Sequence, residues 1–144
     1  MSSPGKLLEE VLLANGLRML IFDQSRPMVG DRWLAKLSLQ VPVEIRPDYL
    51  AALAPDKVSV DAFIASTGGI ITFEHFKQRN FVDYQEVAQV VAELKAESMN
   101  ATLPYISKSG FQARFVQKQY RDWREKQRLH KFSAAPRATQ GEKN

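Results

Sequence analysis

The chain has 144 residues, of which 44% are hydrophobic and 25% charged, and its net charge is +4. That length and balance fit one soluble globular domain and exclude collagen-like, disordered and membrane-spanning classes. With no cysteine, disulfides, thiol nucleophiles, iron–sulfur clusters and cysteine-ligated zinc are excluded as well.

Residues 7–14 admit two readings. Leu7, Leu8, Val11 and Leu12 fit one helical face, ended by Asn15-Gly16 as a C-cap. The favoured reading is a hairpin, because Asn-Gly tolerates positive φ at both positions, as a type I′ turn requires. Residues 10–14 then form a short first strand and Leu17–Asp23 the second. The connection that follows, residues 24–31, carries Pro27 and Gly30 and is long for a hairpin loop.

The clearest signal is RWLAKLSLQVPVEIR at 32–46. Trp33, Ala35, Leu37, Leu39, Val41, Val43 and Ile45 alternate with mostly polar neighbours, the pattern of a strand with one buried face. Pro42 lacks an N–H and predicts a sheet edge or bulge there. Residues 47–67 read as short helical pieces, with Ser59 capping a segment that places Val60, Phe63 and Ile64 on one face and Gly68-Gly69 ending it. Residues 70–81, rich in β-branched and aromatic side chains at their start, predict a strand. A helix follows from Asp83, with Glu86 as box partner and Val82 and Val87 as a staple. Its buried stripe is Val87, Val90, Val91 and Leu94, extended by Ala101, and Pro104 ends or kinks it. The last helix is expected from Ser109 to about Lys131, with Phe111, Phe115, Val116, Tyr120 and Trp123 as its apolar face.

These elements predict an α+β fold. A mainly antiparallel sheet of three to four strands carries two longer C-terminal helices on one face. The expected organisation is a single domain over 1–131 and a disordered basic tail over 132–144. The expected core comprises Leu17, Met19, Ile21, Trp33, Leu37, Leu39, Val41, Ile71, Phe73, Val87, Val91, Leu94, Phe115, Val116 and Trp123.

Charge is unevenly spread. Residues 1–107 hold 10 Lys/Arg and 13 Asp/Glu, whereas 108–144 hold 10 and 3. Arg114, Lys118, Arg121, Arg124 and Arg128 form a basic face on the last helix, suited to an acidic partner, nucleic acid included. A solvated helix surface produces the same pattern. A second candidate is the loop carrying Asp23, Arg26, Asp31 and Arg32, since arginine grips carboxylates and phosphates in bidentate fashion. Its alternative is a set of ion pairs that stabilise the loop. A third cluster, Glu74, His75, Lys77, Arg79 and Tyr84, pairs a histidine with a carboxylate. Strand neighbours face opposite ways, however, so Glu74 and His75 are not expected to touch.

Gly68-Gly69 follows a helix and precedes a strand, the reverse of a phosphate loop. Nucleophile-elbow, Walker and His-Glu-x-x-His motifs are missing, and the chain's two histidines cannot make a three-histidine metal site. Glu9 and Glu10 interrupt the apolar run a secretory signal needs, so a cytoplasmic location is the default. The resulting expectation is a non-catalytic binding module with a protein partner, no cofactor and no membrane attachment. Nucleic-acid binding through the basic helix is the first alternative, and a small-ligand or enzyme site at loop 23–32 the second. The oligomeric state is open.

Overall fold

A computed structural model describes residues 5–53 and 55–143, with side chains through His130. The side chains of the tail expected over 132–144 lie outside those described. The strands are β1 (Lys6–Leu12), β2 (Arg18–Asp23), β3 (Arg26–Pro27), β4 (Arg32–Glu44) and β5 (Ile70–Asp83). The helices are α1 (Pro47–Leu50), α2 (Lys57–Thr67), α3 (Val87–Ile106) and α4 (Phe111–Lys143). The fold is α+β, with an antiparallel sheet and two long C-terminal helices. The chain divides into two compact units, Met1–Val43 with Thr72–Phe111 and Glu44–Ile71 with Gln112–Asn144.

In the first unit β1 pairs with β2, β2 with β4, and β3 and β5 also with β4. Along β4 the face expected to be inward is buried, but Leu34 and Ser38 on the other face are buried as well. Ala35, Leu37, Leu39, Val41 and Val43 are buried, while Trp33 is half-buried and packs on Tyr84 at a ring distance of 5.3 Å. Each such aliphatic side chain contributes roughly 1.5–3 kcal/mol by leaving water. The pairing of β4 with β2 ends at Leu20↔Gln40, so Pro42 stands beyond the last residue that ladder needs.

The β1–β2 connection is a hairpin, but not of type I′. Gly16 alone has positive φ, at 89°, and its N–H donates to Leu13 O at 2.9 Å while Leu13 N–H donates to Leu17 O at 2.8 Å. Those bonds describe a three-residue loop closed by a left-handed glycine. The strand before it is Lys6–Leu12 rather than 10–14, with a register shift between Leu7 and Glu9.

The long connection at 24–31 contains a strand that sequence reasoning missed. Asp23 lies opposite Leu37 and Arg26 opposite Leu34, which is one unbroken register on β4. Between them Gln24 N–H donates to Lys36 O at 2.9 Å, and Lys36 N–H donates to Ser25 Oγ at 3.0 Å. β2 and β3 are therefore one strand interrupted at Gln24–Ser25, with a side chain replacing one backbone acceptor. A tight turn then returns to β4, with Gly30 at φ 61° and Met28 N–H donating to Arg32 O at 2.8 Å.

The helix α3 lies against β5 and β1. Lys77 pairs with Glu97 at 3.1 Å, Arg79 with Glu93 at 3.2 Å and Lys95 with Glu9 at 2.5 Å. Its buried stripe is Val91, Leu94, Ser98, Thr102 and Ile106. Ala101 is exposed, because the i, i+3, i+4 progression from Leu94 runs through Ser98 and Thr102 instead. Asp83 caps a single turn of 3-10 helix ahead of α3, its carboxylate accepting from Gln85 N–H at 3.0 Å. Pro104 sits in the last turn, and the helix continues past it to Ile106.

In the second unit α2 is capped by Asp56, which accepts from Ser59 N–H at 3.0 Å. Ser59 is thus the third helical residue and not the cap. Gly68 ends α2 in the left-handed conformation, as expected. The largest fully buried side chain here is Phe63. Leu17, Ile71, Phe73, Val87, Phe115 and Trp123, expected in the core, are half-buried, whereas Leu50, Phe63, Ile106, Phe111 and Tyr120 are buried.

Candidate functional site

The second unit builds a cleft between α2 and α4. Three aromatic rings join the two helices, and two of them, Tyr120 and Trp123, also line the cleft. Phe63 meets Tyr120 edge-on at 5.3 Å and Trp123 at 5.5 Å, while Tyr120 and Trp123 stack at 6.0 Å. Offset and edge-on arrangements are the favourable ones for such rings. Gln117 Nε2 donates to Tyr49 O at 2.8 Å and ties α4 to α1.

The cleft has a volume of about 840 Å³, within the size range of pockets that hold organic ligands or side chains. Leu53, Val58 and Ala62 line one wall, and Tyr120, Trp123 and the arginines Arg121, Arg124 and Arg128 line the other. Val58 is 78% exposed, so the apolar wall is open to solvent.

The structure separates the predicted basic face into paired and unpaired cations. Lys118 pairs with Asp122 at 3.0 Å, Arg128 with Glu125 at 2.7 Å and Arg124 with Asp56 at 3.6 Å. Arg114 and Arg121 are exposed and make no ion pair among the described residues. The aromatic and basic sides of α4 meet at the i, i+4 pair Tyr120 and Arg124. Arg124 donates to Tyr120 Oη at 3.1 Å and lies 5.8 Å from that ring. The Ser59 N–H holds the Asp56 carboxyl below its ordinary range, and Arg128 does the same for Glu125.

The four loop residues fall on the β2–β3–β4 hairpin. Asp23 Oδ1 accepts from Ser25 N–H at 2.9 Å. Asp31 and Arg32 approach at 3.8 Å, and that is the one ion pair the four make with each other among the described residues. Arg26 lies exposed on β3. In the third cluster Glu74 accepts from Ser38 Oγ at 2.8 Å. His75 lies on the opposite side of β5, its Nε2 buried with no hydrogen-bond partner. Lys77 and Arg79 are engaged by Glu97 and Glu93. No acid–base pair is assembled from these groups among the described residues.

Compared with known proteins, the chain matches no family model, no curated protein and no solved structure. Among the described residues no group of three or more acidic or histidine side chains could hold a metal ion, and no helix is long and apolar enough to cross a membrane.

Sequence reasoning found the basic face but missed the cleft. The missing piece was the first turn of α2, whose Val58 faces out, as Ala62 does, while Phe63 faces in. The Asp56-Lys57-Val58-Ser59 spacing is an N-cap signature that places the start of α2, and with it Val58 on the first turn.

Proposed function

We propose that the chain is a non-catalytic binding module whose α2–α4 cleft takes a protein segment bearing a large apolar side chain flanked by acidic residues. The observation that carries this reading is the solvent-open apolar wall around Val58 opposite Trp123 and the exposed arginines. An apolar anchor buried in such a pocket supplies most of the energy of a peptide interface, and the rim charges select the sequence. Nucleic acid is the lesser reading. Three of the five cations on the face are already balanced by Asp122, Glu125 and Asp56, and Tyr120 is buried and so presents no free ring to a base.

The test is selection of a random peptide library on the full chain, with affinities then measured by titration. The expected peptides carry Asp or Glu around one large apolar residue. Val58→Glu and Arg121→Glu, both at exposed positions, should each weaken binding roughly tenfold, the scale of losing one interface anchor. Selected peptides indifferent to both changes would remove the cleft from consideration. Binding of a single-stranded oligonucleotide that falls steeply with salt and disappears in Arg114→Glu would replace the reading with the nucleic-acid one.

A further inference from the structure

The sheet of the first unit has two outer strands, and they are unlike. β1 is short, its register shifts between Leu7 and Glu9, and Glu9 and Glu10 stand side by side. Bulges and charges are the usual devices that stop a strand edge from recruiting another chain. β5 also carries charges, Glu74, Lys77 and Arg79, but they are engaged within its own chain. It runs 14 residues, pairs only with β4 among the described residues, and contains no proline or glycine. Its residues Thr72, Glu74, Phe76, Gln78 and Asn80 are all exposed. Its two cations are balanced from behind, Lys77 by Glu97 and Arg79 by Glu93 and Glu97. Inside β5 Phe81 holds φ at +59°, and residues 70–80 before it are free of positive φ.

We propose that the open edge of β5 pairs antiparallel with β5 of a second copy of this chain, about a two-fold axis at Phe76. This inference is independent of the α2–α4 cleft. An isologous two-fold contact requires a segment complementary to itself, and residues facing each other across the axis must share a face of the sheet. With Phe76 opposite Phe76, Glu74 meets Gln78 and Thr72 meets Asn80 on one face. On the other, His75 meets Lys77 and Phe73 meets Arg79. Every like-charge pair is avoided, and a ring that is 51% exposed gains an aromatic partner. Neighbouring registers are worse. Moving the axis to Lys77 sets that lysine opposite itself and His75 opposite Arg79. Moving it to His75 leaves Glu74 facing Phe76, and moving it to Glu74 opposes two carboxylates.

The test is sedimentation of the full chain over a micromolar-to-millimolar dilution series. The expected result is a monomer–dimer equilibrium. Phe76→Glu and Phe76→Lys should each raise the dissociation constant roughly tenfold or more, from the lost ring pair and the like charges now opposed. An equimolar mixture of the two variants should recover dimer, which a merely unfolded variant cannot do. Leu12→Glu on β1 and Val58→Glu in the cleft should leave the equilibrium unchanged. A chain that stays monomeric throughout, a dimer indifferent to both Phe76 variants, or one dissociated by Leu12→Glu or Val58→Glu would each overturn the proposal.

Discussion

The side-chain amide of Asn15 donates to the backbone carbonyl of Ile106 at 2.8 Å. The same nitrogen reaches Lys108 O at 2.9 Å, and Asn15 Oδ1 accepts from Leu17 N–H at 3.2 Å. One side chain thus shapes the β1–β2 hairpin, satisfies the Ile106 carbonyl at the end of α3, and adds a second donor to Lys108 O, which also accepts from Phe111 N–H at 3.1 Å. Asn15→Ala should lower unfolding free energy by about 1–2 kcal/mol. Asn15→Asp should cost at least as much, because it removes the donor and sets a carboxylate at the negative end of the helix dipole. Chemical denaturation with an unchanged denaturant slope is the measurement.

Phe63 is fully buried against Tyr120 and Trp123. Phe63→Ala should cost about 3–5 kcal/mol, the range for deleting a core aromatic. Because Trp123 stands on that ring, its emission should shift to longer wavelength at denaturant concentrations where the parent is still native.

Acid should loosen α2 and α4 before the sheet. The folded-state pKa of Asp56 is depressed by its bond from Ser59 N–H, and that of Glu125 by Arg128. A depressed carboxyl contributes stability that is present above its unfolded pKa and lost as pH falls through the folded value. The loss is therefore expected in the acid limb, below roughly pH 4. Asp56→Asn keeps an acceptor for the Ser59 N–H and should flatten that limb, and Asp56→Asn with Glu125→Gln should flatten it further. Thermal melts between neutral pH and pH 3 compare the slopes.

Backbone conformation gives a contrasting pair. Gly68 closes α2 at φ 73°, and a Cβ there would meet no atom within 4 Å. Gly68→Ala should then cost about 1–2 kcal/mol from left-handed strain alone. Phe81 already holds φ 59° with its side chain exposed, so Phe81→Gly should be no less stable than the parent. Midpoints of thermal unfolding for the two variants should move apart.

The sheet was legible because a period of two is unambiguous over a stretch as long as Trp33–Ile45, and one buried face enforces it. Leu34 is a visible exception to that alternation, whereas nothing in the pattern marks the polar Ser38 as buried. They belong to the other face, and both are buried, Ser38 beside Glu74 and Gln40. Local chemistry misled where two neighbouring residues could serve one purpose. Ser59 reads as a cap, but Asp56 is the residue whose carboxylate reaches the free N–H. The cleft was illegible for a different reason. It depends on Val58 and Trp123, 65 residues apart, lining one cleft from two helices, and no helical period carries that information. The expected stripe on α4 correctly named Tyr120 and Val116, yet only α2 turns that stripe into one wall of a cleft.

The uninterrupted count from Asp23↔Leu37 to Arg26↔Leu34 leaves the Gln24–Ser25 break without slack. One amino acid inserted there would turn Arg26 and Pro27 over to the opposite side of the sheet, whereas two would restore parity. What resembles a tolerant surface loop is thus a position where length is inherited from the ladder, and change by substitution is open to it while change by single insertion is not.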